Sequence, residues 1–279
     1  MRRINLRAFF AFLAFFSFLS FAATSPAQTL PAAPEIKQPT PGQSSVQAPP
    51  NDAQFAAFEK MHREQLKNDW PWLAKFHDAD LKLTASAAGE ERVVFMGDSI
   101  TEFWKIEGAE GSFPGKPYIN RGISGQTSPQ MLVRFRQDVI ALKPKAVVIL
   151  AGINDIAGNT GPMTLEQTED NLASMADLGT ANHIRVVLCS VLPAFDFPWK
   201  PGQTPASKVL ALNAWMKAYA ADKGYVYVDF HTAMKDERNG LSAALSQDGV
   251  HPLPAGYAVM APLVVAGIEK ALRLPASSF

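Results

Sequence analysis

The sequence predicts an α/β protein in three layers, an open five-stranded parallel sheet with helices on both faces. Three observations predict it. Five short β-rich runs punctuate the chain, and helical stretches of ordinary length separate them. The strongest run, Ala146-Val-Val-Ile-Leu-Ala151, is apolar on both faces, as a central parallel strand must be when helices cover both sides of a sheet. Right-handed crossovers then follow.

Along the chain, Asn51 or Asp52 is placed to cap a helix through Lys67, with Phe55, Phe58, Met61 and Leu66 at roughly helical spacing. The first strand, residues 92–96, ends in Gly97-Asp98-Ser99, and Thr101-Glu102-Phe103-Trp104 continues into a helix. A weaker second strand covers residues 118–120. The central run at 146–151 is the third, residues 184–189 are the fourth and 225–229 the fifth. Helices are expected near 128–139, 164–181, 205–222 and 254–273, and Thr164-x-x-Gln167 has the form of a capping box at the start of one of them. There is no internal repeat, and 52–279 reads as one domain.

Two other segments precede that domain. Arg2, Arg3 and Arg7 are followed from Ala8 to Ala23 by an uncharged stretch holding seven of the eighteen Phe. Basic and apolar regions in that order, then small residues around Ala27, predict a signal peptide cleaved after residue 27. The apolar stretch is shorter than the roughly 20 residues that span a bilayer, so no stable membrane anchor is expected after cleavage. Residues 28–51 are mostly Pro, Ala, Gln, Thr and Ser, a spacer that cannot form a packed core. The expected location is therefore periplasmic or extracellular.

Charge narrows the function classes. Lys and Arg number 26 against 26 Asp and Glu. Removing Arg2, Arg3 and Arg7 leaves 23 basic against 26 acidic residues, a net charge of −3. Neither balance is the footprint of a nucleic-acid or anionic-membrane binder. The single cysteine, Cys189, excludes an intramolecular disulfide framework and any Cys-based zinc cluster, and a lone thiol in an apolar strand cannot mispair within its own chain.

In an open parallel sheet ligands bind beyond the carboxyl ends of the strands, so the residues that follow each strand carry the information. They are Gly97-Asp98-Ser99-Ile100, then Asn120-Arg-Gly-Ile-Ser-Gly125-Gln126, then Gly152-Ile-Asn154-Asp155, and before the last helix Asp248-Gly-Val-His251. Together they supply an acyl-transfer site. Ser99, at a strand-to-helix turn, has its backbone N–H at the positive end of a helix. A serine hydroxyl becomes a nucleophile when an imidazole takes its proton and a carboxylate orients that imidazole, and Asp248 and His251 offer both from one loop. The N–H groups of Ser99 and Gly125 and the side-chain amide of Asn154 are candidate oxyanion donors. Each also has a plainer role: Ser99 as a helix cap, Gly125 as a positive-φ residue, Asn154 as a turn residue. Asp98 is expected to bond loop backbone and Asp155 to be a turn residue. His62, His77, His183 and His231 lack a carboxylate partner at a telling spacing and read as surface or satisfied histidines. No metal grouping or phosphate loop is seen, so no cofactor and no metal are expected.

These four blocks, in this order over residues 90–260, resemble those of the SGNH or GDSL-type hydrolase family. The resemblance implies a flavodoxin-like three-layer fold with Ser99 as nucleophile, His251 as base, Asp248 as its partner, and Ser99 N–H, Gly125 N–H and the Asn154 side chain as the oxyanion hole. Ile100 replaces the Leu of the family motif, and Gln126 stands where an acidic residue often follows the glycine. Gly-Ile-Ser-Gly and the helix before the first strand are similar to the platelet-activating-factor acetylhydrolase-like subgroup and to bacterial secreted esterases.

The implied activity is that of an exported serine esterase acting on short-chain carboxylic esters, its substrate a small-molecule or carbohydrate ester. A carbohydrate O-deacetylase or a lysophospholipase or thioesterase is the alternative within the family, and a non-catalytic glycan-binding module that keeps the fold is the alternative outside it. Specificity is expected from the loops at 104–117, 156–163 and 192–204. In the last, Phe195, Phe197 and Trp199 wall an acyl or aryl pocket, stack on a sugar ring, or pack onto the loop's own prolines. Trp104 lines either the cleft or the core.

Overall fold

The computed structural model describes residues 60–61, 63–83 and 89–274. The leader at 1–27, the spacer at 28–51 and the start of the first expected helix lie outside them. Residues 63–68 are helical, and α1 (Ala74–Lys82) follows. The strands are β1 (Val93–Gly97), β2 (Tyr118–Gly122), β3 (Ala146–Leu150), β4 (Arg185–Cys189) and β5 (Val226–Val228). Between them run α2 (Ser99–Glu102), α3 (Ser128–Asp138), α4 (Ile153–Ala157), α5 (Leu165–Ala181) and α6 (Ala206–Lys223), and after β5 come α7 (Phe230–Met234) and α8 (Pro254–Arg273).

All five strands are parallel, in the order β2-β1-β3-β4-β5. Val186 and Val187 are neighbours in β4, so their side chains leave opposite faces of the sheet. Gly179 of α5 lies against Val186 and Val147, whereas Gly267 of α8 lies against Val187, Val226 and Val228. The helices therefore cover both faces, and β1 and β3 are buried at every residue, which accounts for their unbroken apolar sequence. The Thr164 capping box forms, with Thr164 Oγ1 accepting from Gln167 N at 3.2 Å and Gln167 Oε1 accepting from Thr164 N at 3.0 Å.

One element departs from expectation. The helix expected from Ser99 through Trp104 and beyond is a single turn, because the Asn120 side chain takes the carbonyls of Thr101 (2.8 Å) and Trp104 (3.0 Å) and leads the chain away. That turn packs hard onto β2: a Cβ on Gly122 would collide with the backbone of Glu102.

Candidate active site

The chain leaves β1 toward β2 on one side and returns past it to β3 on the other, so a crevice opens beyond the carboxyl ends of β1 and β3. Ser99 follows β1 and Asn154 follows β3. Asp98 caps the serine turn, its Oδ1 accepting from Ile100 N at 3.0 Å, and the Tyr257 hydroxyl of α8 donates to Ile100 O at 2.8 Å.

Ser99 Oγ lies 2.9 Å from His251 Nε2, and His251 Nδ1 lies 2.6 Å from Asp248 Oδ2. With the ring proton held at Nδ1 by the carboxylate, Nε2 is left as the acceptor for the serine hydroxyl. Asp248 is fixed in turn by the backbone: its Oδ1 accepts from Val250 N at 2.9 Å and His251 N at 2.8 Å. Burial opposes ionisation of Asp248, but the bond from the His251 ring and those from the two backbone amides outweigh it and hold the carboxyl well below the usual carboxylate range. Ser246 closes the loop by accepting from Gly249 N at 2.9 Å and donating to His251 O at 2.8 Å.

On the other side of Ser99, Gly125 has φ +77°, a conformation that glycine adopts without strain. Asn154 is buried, and Asn159 Nδ2 donates to its Oδ1 at 2.8 Å, which turns the Asn154 NH2 toward Gln126 O (3.0 Å) and Asp98 Oδ2 (3.4 Å). Asp155 does more than turn the chain: its carboxylate accepts from Ser128 N at 3.0 Å and from Ser128 Oγ, tying α4 to the start of α3.

Asp98 is fully enclosed, and burial pushes its carboxyl up to about 7 against the weaker pull of the Ile100 N–H and the His251 charge. Because the folded chain holds this proton above the ordinary value of 3.8, the contribution of Asp98 to stability is present below pH 3.8 and is lost as pH rises through about 7. Unfolding free energies of the native protein and of Asp98→Asn, measured across that window, should diverge in favour of the variant as pH rises; parallel curves refute the assignment.

The aromatic candidates separate. Trp199 is exposed, with its ring 6.3 Å from that of His251, and it stacks at 5.1 Å on Phe197. Phe197 is itself buried and supports Trp199 from beneath instead of facing the crevice. Phe195 is exposed, with the Arg238 guanidinium 4.4 Å above its ring. Trp104 belongs to the core: it is 2% exposed, packs among Phe95, Phe113 and Tyr257, and donates Nε1–H to Ser112 Oγ at 3.0 Å. Of the two places the sequence left open for it, the core is the one observed.

Sequence reasoning missed Phe103, which is exposed with its ring 5.7 Å from that of His251. Its position directly after the serine turn was the available signal. Beside Asp248 lies a cavity of about 290 Å³ bordered by Phe195, Asp196, Asp236, Arg238 and Gly249. Of the other histidines, His62 lies outside the described residues, while His77 and His183 are exposed. His231 is not satisfied as expected: it is buried and its Nε2 has no hydrogen-bond partner among the described residues, and burial lowers its proton affinity. Among the described residues no group of three or more His, Cys, Asp or Glu is arranged to hold a metal ion.

Comparison with known proteins finds relatives of one kind. Residues 95–259 match the model of the GDSL-like lipase/acylhydrolase family. The chain is 29% identical over 203 residues to an acetylxylan esterase of Geobacillus stearothermophilus, covering 61% of this chain and 90% of that protein. It is 29% identical over 184 residues to esterase TesA of Pseudomonas aeruginosa, covering 62% and 85%. A solved GDSL-like lipase from Bacteroides thetaiotaomicron is 43% identical with a TM-score of 0.70, covering 73% of this chain and all of that one.

Proposed function

We propose, on the premise that this chain belongs to the GDSL-like lipase/acylhydrolase family and is a carboxylic ester hydrolase, that Ser99 is its nucleophile and that it cleaves short-chain esters through an acyl-serine intermediate. The observation that carries this reading is the 2.9 Å contact between Ser99 Oγ and His251 Nε2, backed by Asp248. His251 takes the serine proton as Oγ attacks the ester carbonyl, and the negative charge forming on the carbonyl oxygen is met by the N–H groups of Ser99 and Gly125 and by the Asn154 amide, which exchanges its long 3.4 Å contact with Asp98 Oδ2 for the substrate oxygen. Collapse of the tetrahedral intermediate passes the His251 proton to the leaving alcohol. A water, deprotonated by the same imidazole, then hydrolyses the acyl-serine.

Since His251 Nε2 must reach the alcohol oxygen, the alcohol portion lies on the side of Phe103 and Trp199. Flat exposed rings there suit the face of a sugar, and an acetylxylan esterase stands among the relatives. A carbohydrate O-deacetylase is therefore the specialised form of the proposal. Export completes it, on the strength of the basic and apolar residues at 1–27.

The test is a graded panel of p-nitrophenyl acetate, butyrate and octanoate with acetylated xylan, run beside labelling by a fluorophosphonate. Acetyl and butyryl esters should turn over at least roughly tenfold faster than octanoyl, and the probe should label Ser99. A protein inert on every ester and unlabelled at Ser99 is a binding module instead.

A further inference from the structure

The loop that carries Gly125 is held on two sides, by Glu102 and by Pro71, and residues 71–75, which lie outside the matched residues 95–259, reach both holds. On one side, Ser124 N donates to Glu102 Oε2 at 2.6 Å, Ser124 Oγ donates to the same oxygen, and Lys75 Nζ from α1 donates to Glu102 Oε1. Burial opposes the charge on Glu102, but the bonds from Lys75 and Ser124 outweigh it and hold the carboxyl below its ordinary range, so it accepts as an anion. On the other side, Gln126 Nε2 donates to Pro71 O at 2.7 Å, and Gln126 Oε1 accepts from Arg134 Nε at 2.6 Å. The backbone carbonyl of this same Gln126 receives the Asn154 amide at 3.0 Å.

Two of the three donors assigned to the oxyanion thus depend on residues that meet no substrate. A backbone N–H aims only as well as its loop is held, and a donor displaced by a fraction of an ångström loses much of its effect on a developing charge. Lys75 is steadied in turn, its ammonium 4.6 Å from the Trp72 ring. We propose that Pro71 to Lys75 form a strap that positions the oxyanion loop through Glu102 and Gln126, making Lys75, Glu102 and Gln126 positioning residues for the reaction. This rests on the reading of Ser99, Gly125 and Asn154 given above. The glutamine at 126 is what makes the second grip possible: a carboxylate at that position could still receive Arg134 but has no hydrogen to give Pro71 O.

Two substitutions test the strap, Lys75→Met and Gln126→Glu, with Lys67→Met as control. Lys67 Nζ donates to Glu64 Oε1 at 3.2 Å, an exposed pair that touches neither residues 71–75, nor Glu102, nor the Gly125 loop. The first two should lower kcat by about 10-fold to 100-fold with KM within about threefold, less than the 10²–10³ expected on deleting a donor outright. Binding of a boronic acid, which forms a tetrahedral adduct on serine, should weaken in step with kcat. In an Asn154→Ala background the same substitutions should cost clearly less, because one of the donors they aim is gone. Lys67→Met should keep full kcat. An unchanged kcat in Lys75→Met and Gln126→Glu, even with a lower melting temperature, overturns the strap, as does a loss shared equally by Lys67→Met. If Gln126→Glu does not fold, Lys75→Met carries the test alone. Full activity in Asn154→Ala instead overturns the oxyanion assignment itself, and the two failures are distinguishable.

Discussion

Ser99→Ala should lower turnover of p-nitrophenyl acetate by roughly 10⁴-fold or more while changing stability by less than about 1 kcal/mol. Without Oγ no acyl-enzyme can form. What survives is whatever the oxyanion donors achieve with water as the attacking group, since they do not depend on the hydroxyl. The fold has little stake in that oxygen: its bond is to His251, which sits in a partly exposed loop held by Asp248 and Ser246. Steady-state rates and thermal melts on the same preparations decide it. Activity within about tenfold of the native protein would remove Ser99 as nucleophile, and a large drop in melting temperature would assign it a structural role instead.

Arg134→Met carries the largest expected cost in stability, about 3–5 kcal/mol. Arg134 is fully buried, and its guanidinium donates to Asp138 Oδ2 (2.9 Å), Gly97 O (3.1 Å) and Gln126 Oε1 (2.6 Å). Burial lowers its proton affinity and the Asp138 charge works to restore it, the pattern of an ion pair kept inside by mutual need. Methionine fills much of the volume but leaves the Asp138 carboxylate without its counter-charge. For a domain of this size the loss corresponds to a melting temperature lower by roughly 6–20 °C. The double variant Arg134→Met/Asp138→Leu should recover part of it, because an apolar pair of similar volume replaces a buried ion pair at little net cost. A single variant that loses under about 1 kcal/mol, or a double no more stable than the single, refutes this account of the pair.

The sheet was legible because its strands are buried on both faces. An unbroken run such as Ala146-Val147-Val148-Ile149 offers no polar face to solvent, and each strand lies within two residues of where the apolar run placed it. That Ser99, His251 and Asp248 come together was legible for a related reason: each follows a strand or precedes a helix, where chain geometry restricts the residue types. Lys75, Glu102 and Arg134 were not legible. Long polar side chains that hold distant backbone carry no periodic pattern and look like ordinary surface charges in a sequence. For Trp104 the sequence left cleft and core open, because the partners that place it in the core, Phe113 and Tyr257 among them, come from distant positions and leave no local pattern.

Ser99 and His251 are 152 positions apart, and β1 pairs with β3 across the whole of β2. Closing loops of that length is slow, and contacts between distant residues form late. On the proposed assignment, a chain that has assembled β1, β2 and β3 already holds Ser99, Gly125 and Asn154 but lacks its base, His251, so it is chemically silent. Hydrolysis begins only when β4, β5 and the 246–252 loop have docked, and recovery of esterase activity after dilution from denaturant is therefore a clock for the last step of folding.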